Sequence, residues 1–128
     1  MKTIIKNVLQ WGLALLMIVF GLNKFFGFIA VDPPADPTAQ QFMGAMFGSY
    51  LAKVVAVNEI VGGLLLIIPK TRFIAWLILA PVMFNIIAFH VAHDFIGNGI
   101  WLLPSALYIG LAYFHQEHFK TLSKINSL

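Results

Sequence analysis

The chain has no cysteine. That absence excludes disulfide exchange, thiolate metal centres, iron–sulfur clusters and covalently attached c-type haem, and with them any thiol oxidoreductase chemistry. Charge is also scarce, at 10% of 128 residues against about a quarter in an ordinary soluble domain. No glycine-rich phosphate loop or other nucleotide motif is present. The opening Met1-Lys2-Thr3-Ile4-Ile5-Lys6 looks like the start of a signal peptide, but no small-residue cleavage site follows. The first apolar segment is therefore expected to remain in the mature protein.

What is abundant is hydrophobic residues, 60% of the chain. A single domain of this length folded in water could not bury so much apolar surface, so lipid must be its solvent. Four apolar segments approach the ~20 residues that cross hydrocarbon. They run over residues 8–30, 49–68, 73–93 and 99–115. The first ends at Asp32-Pro33-Pro34-Ala35-Asp36-Pro37, where proline forbids helix and aspartate needs water. Pro69-Lys70-Thr71-Arg72 divides the second from the third. The expected fold is an all-α membrane four-helix bundle forming one domain over residues 1–128. Between the first two spans, Thr38 and Gln41 form a capping box ahead of Phe42, Met43, Met46 and Phe47 at helical spacing. This predicts a short interfacial helix over residues 39–48, with an early start of the second span as the alternative.

Orientation follows from the basic residues of the connections. Lys2, Lys6, Lys70, Arg72, Lys120 and Lys124 fall on one side, whereas the other side has only Asp32, Asp36 and Asp94. By the positive-inside rule both termini are cytoplasmic. The basic residues stand singly or in pairs beside apolar runs, which suits lipid headgroups and not nucleic acid.

Ionisable residues inside a span cost about 2.5–3.5 kcal/mol each on insertion scales. Lys24, Lys53, Glu59 and His90 are so placed, with Asn23, Asn58 and Asn85 as uncharged companions. Helical side chains lean towards their own N-terminus. Lys24 on an outward-running helix therefore leans inwards, and Glu59 on an inward-running neighbour leans outwards. The two are predicted to form an ion pair. Ala52, Ala56, Glu59 and Gly63 make a stripe of small residues around the acid, and Gly21 and Gly27 flank Lys24, which favours close packing of both faces. Lys53 lies near the outer end of its span and is expected to snorkel to the headgroups. Asn85 and His90 are separated by about 140° around their helix, so only one can point squarely at Glu59. The sequence leaves open which.

The four histidines form two groups, His90 with His93 and His115 with His118, at opposite membrane faces. A structural metal needs about four ligands, so no metal site is expected. Nor can the two groups jointly bind one haem. His115 and His118 are expected in solvent.

Three stretches resemble the DoxX family of small four-span bacterial membrane proteins. Phe20-Gly21-Leu22-Asn23-Lys24 is similar to that family's Phe-Gly-x-x-Lys pattern. Glu59-Ile60-Val61-Gly62-Gly63 followed by Leu64-Leu65-Leu66 is similar to its glutamate, glycine pair and aliphatic run. Ala80-Pro81-Val82-Met83-Phe84-Asn85 with His90 is similar to members with Asn and His at this spacing. The resemblance implies a four-helix bundle in the bacterial inner membrane. The family's name comes from an association with quinone-linked sulfur oxidation, and other members have been linked to oxidative-stress complexes at the membrane. Neither activity carries over residue by residue, since the family has no established catalytic set.

Three functions are then in view. The first is a non-catalytic accessory subunit that holds a protein partner or a second copy, or binds lipid or quinone through Lys24, Glu59, Asn85 and His90. The second is a quinone-linked oxidoreductase component, for which a partner must supply the electron carrier. The third is a small-molecule transporter, against which stand the one-sided basic residues and the lysine partner of Glu59. The first is favoured, with a cavity opening towards the outer leaflet under a lid carrying Phe42, Met43 and Met46.

Overall fold

A computed structural model describes residues 1–95 and 99–126. It contains six α-helices: α1 (Lys2–Phe26), α2 (Pro37–Phe47), α3 (Leu51–Ile67), α4 (Arg72–His93), α5 (Leu102–Phe114) and α6 (Gln116–Asn126). A 3₁₀ turn, Pro69–Thr71, joins α3 to α4, and no strand occurs among the described residues. The protein is an all-α bundle. α1 packs on α3 and α5, and α4 completes the ring by touching both of these. α2 rests across α3 and α4, and the backbone of α6 packs on α5.

Neighbours in the ring are antiparallel. Gly63 of α3 meets Ala14 and Ile18 of α1, whereas Gly21 of α1 meets Ala56 and Ile60 of α3. These glycines permit a close approach. A Cβ on Gly21 would lie 2.8 Å from the Ala56 carbonyl oxygen, and one on Gly63 2.9 Å from that of Ala14. Gly27 does something else. Nothing approaches its Cβ position, and its φ of 62° gives it the left-handed cap that stops α1. The first apolar helix therefore ends at Phe26, short of the expected residue 30. Asn23 secures this end by donating to and accepting from the Ile29 backbone (3.2 and 2.7 Å).

α2 confirms the short helix but not its cap. The N-cap is Asp36, whose Oδ2 accepts from Ala39 N (3.1 Å), with Pro37 in the first turn. Thr38 lies inside the helix, so the cap falls two residues earlier than expected, and Ala39 stands where a capping box would need Glu or Gln. α2 and α3 meet at 78° and are two helices. The Ser49 hydroxyl holds the corner, donating to Met46 O and accepting from Leu51 N (both 3.3 Å). At the opposite end, side chains satisfy the last carbonyls of α3. Thr71 donates to Leu65 O (2.7 Å) and the Arg72 Nε to Leu66 O (3.0 Å).

Two helical segments, Lys2–Phe26 and Pro69–His93, are long and apolar enough to cross a membrane. The bent α2–α3 pair qualifies as a third if taken as one span, and α5 is apolar but shorter. The core joins Leu13, Ala14 and Met17 of α1 to Leu66, Leu79, Met83, Tyr108 and Leu111 of the other three helices. Around it, Leu15, Val61, Leu64, Ile74, Phe84 and Ile109 are exposed. An apolar belt of this kind needs lipid to cover it.

A polar cavity beneath the short helix

Lys24 and Glu59 meet as their opposed helical leanings predict. The ammonium nitrogen of Lys24 lies 2.9 Å from both carboxylate oxygens of Glu59. Glu59 is 1% exposed and Lys24 is 17% exposed. Close packing of α1 on α3 at Gly21 sets this geometry, because it brings the two helices within one lysine length of each other.

The pair is not sealed in the core. It forms part of the wall of a cavity of about 1840 Å³, which extends beneath α2 and the segment from Ile29 to Asp36. Phe42, Met43 and Met46 line it from α2, so the anticipated lid face does point inwards. Asn85 and His90 line it from α4, but neither bonds to Glu59. Asn85 donates to Pro81 O one turn back (2.8 Å), leaving its side-chain oxygen available. His90 Nδ1 lies 2.8 Å from Ile86 O, and a carbonyl can only accept, so that nitrogen carries the proton. In the neutral ring Nε2 is then an acceptor. It lies 3.9 Å from Asp94, too far for a hydrogen bond. Lys53 is exposed, in keeping with a snorkelling lysine. Asn58 stays outside this group, donating to Ile78 O of α4 (3.0 Å).

Several members of the wall escaped sequence reasoning. Trp101 stacks on His90 with ring centroids 5.2 Å apart, and Phe89 lies between His90 (5.2 Å) and Phe42 (5.3 Å). His93 Nδ1 approaches Asp36 Oδ2 at 3.3 Å, so the residue that caps α2 also fastens it to α4. The aromatic spacing was visible along the chain, but its convergence depends on how α2 folds back.

The opposite end of the bundle overturns one expectation. His115 is 1% exposed, packed against Phe73 and Trp76, and not in solvent. Gln10 of α1 is wholly buried at the same end. All four polar side-chain atoms of these two residues lack a partner among the described residues. A signal for Gln10 existed, since it belongs to the buried row Gln10, Leu13, Ala14, Met17, Gly21.

The family comparison bears directly on the cavity. The DoxX family model matches residues 6–92, more than half of the chain. The chain belongs to the DoxX family. The matched stretch contains Lys24, Glu59, Asn85 and His90, whereas α5 and α6 lie beyond it. This DoxX protein matches no curated protein and no solved structure. Family membership together with its apolar helices makes it a membrane protein whose surroundings are lipid.

Proposed function

We propose that this DoxX protein crosses the bacterial inner membrane four times, with both termini cytoplasmic, and acts as a non-catalytic accessory subunit. In this reading the cavity takes one lipid-like molecule with a polar head and an apolar tail. The observation that carries it is the combination of Lys24, Asn85 and His90 with aromatic and aliphatic walls in one space of about 1840 Å³. Binding sites for small molecules are mostly apolar, with a few convergent polar groups.

A quinone fits this donor set. Lys24 retains a proton beyond those directed at Glu59, His90 Nε2 and the Asn85 oxygen accept, and Phe89 and Trp101 flank the head position. Such a molecule would supply two-electron chemistry, while the chain's own residues hold its head and keep its tail from water. A protein partner or a second copy would complete the assembly. Transport is the weaker alternative, because Glu59 is tied to Lys24 and packed residues Leu13, Met17, Leu79 and Met83 close the bundle on the other side.

Mass spectrometry of lipids and quinones retained by the protein from native membranes tests the reading. A His90→Phe variant and a Lys24→Met/Glu59→Gln variant should both lose a molecule that the natural chain retains. Identical retention by all three would end the proposal. Orientation is checked separately by impermeant thiol labelling of intact cells, which should modify Ala35→Cys and spare Ser123→Cys.

A further inference from the structure

The ring of helices leaves α6 outside, and its first turn is nevertheless fixed. His118 stacks on Phe73 with centroids 4.5 Å apart, and Phe119 meets Phe73 and Trp76 edge to face at 5.5 and 5.4 Å. Beyond that root the apolar edge continues through Leu122 and Ile125, which are 42% and 58% exposed. Spacing of three residues places Phe119, Leu122 and Ile125 within about a third of the helix circumference. Lys120 and Lys124 fall on the other side. α6 also starts directly where α5 ends, at the depth where an embedded helix reaches the headgroups.

Charge at this end is one-sided. Lys2, Lys6, Lys70, Arg72, Lys120 and Lys124 gather there with a single acid, Glu117, which pairs with Lys120 at 3.2 Å. A cleft of about 300 Å³ opens between the start of α1 and the root of α6. Lys2, Thr3, Lys6, Gln116 and Glu117, whose carboxylate is held by Lys120, give it polar walls, and Tyr113 and Phe114 give it an apolar floor.

We propose that α6 is an in-plane anchor whose Leu122–Ile125 edge enters the leaflet at the terminal end. The cleft at its root takes the headgroup phosphate of an anionic phospholipid. The polar walls offer two ammonium groups and a hydroxyl to the phosphate, the one carboxylate in the wall, Glu117, is paired with Lys120, and the aromatic floor suits the upper acyl chain. A second copy is a poor occupant, since two faces of the same basic charge repel. The inference stands apart from the cavity beneath α2, since it uses none of the same residues.

The test uses the full chain in nanodiscs of phosphatidylcholine with and without phosphatidylglycerol. Because no native cysteine competes, spin labels can be placed singly at Leu122→Cys, Ser123→Cys and Ile125→Cys. In anionic discs the labels at 122 and 125 should meet oxygen and avoid a water-soluble nickel chelate, while that at 123 does the reverse. Lys2→Gln/Lys6→Gln should lower retention of phosphatidylglycerol relative to phosphatidylcholine by roughly fivefold per lysine. Equal nickel access at all three labels would make α6 a solvated tail and overturn the anchor. Labels shielded from both reagents would mean a protein covers the edge, which also overturns it. Unchanged lipid retention by the lysine variant would overturn the phosphate site.

Discussion

The two ends of this bundle place their buried polar groups in different surroundings. At the loop end, Lys24 and Glu59 are bonded to each other, and the wall they belong to faces a large cavity. At the terminal end, Gln10 and His115 are enclosed in packed protein and have no partner among the described residues. A paired group facing open space is suited to exchanging partners with a ligand. An orphaned amide or imidazole in a dense core is a cost in itself, about 1–3 kcal/mol. Polarity alone therefore does not mark the site, for the loop end too has a buried atom without a partner among the described residues, Trp101 Nε1; a bonded ion pair beside unfilled space does.

The comparison breaks most sharply at Glu59. Replacing Glu59 with Gln leaves a buried ammonium without its counter-ion and should cost about 3–5 kcal/mol. Adding Lys24→Met should recover much of that, and purely additive losses in thermal unfolding would dissolve the pair. Next comes the helix contact that positions it. Gly21→Ala puts a methyl group against the Ala56 carbonyl and should cost about 1–3 kcal/mol, with the ion pair lengthened.

The terminal end should respond with the opposite sign. Gln10→Met removes an unpartnered amide at similar volume, and a gain of about 1–2 kcal/mol in unfolding free energy is expected. A loss of that size would show that the amide is satisfied in the membrane, and the contrast between the ends would shrink. The smallest effect belongs to the α2 cap. Asp36→Ala should cost about 1 kcal/mol, confined to α2 and visible as faster amide exchange there.

How much of this was legible beforehand depended on whether one helix or several had to be known. The Lys24–Glu59 pair was legible because helical leaning and antiparallel order are local rules. So was the short helix, because Phe42, Met43 and Met46 repeat within its own turns. Its cap was misplaced because Thr38-x-x-Gln41 and Asp36-Pro37 are rival start signals two residues apart, and only the chain's path decides. His115 was misjudged because depth in the membrane was taken as exposure. Phe73 and Trp76 of α4 cover it, and no spacing within α5 says so. No element was placed over α6 because it has only three apolar residues, although the spacing of Phe119, Leu122 and Ile125 was in plain view.

The packed layer of Leu13, Met17, Leu79 and Met83 has an electrical consequence. In the four-span arrangement proposed above, a cavity open to its own bath before a ligand enters carries that bath's potential inwards, so the membrane voltage should fall mainly across this thin apolar layer. A free charge crossing the whole drop would exchange about 2.3 kcal/mol per 100 mV with the field. Lys24 and Glu59 lie just above the layer as a bonded pair of zero net charge, and a uniform field exerts no net force on such a pair. In that arrangement the voltage that energises the membrane should leave this clasp in place, whereas a lone lysine there would be pushed along the bundle axis each time the potential changed.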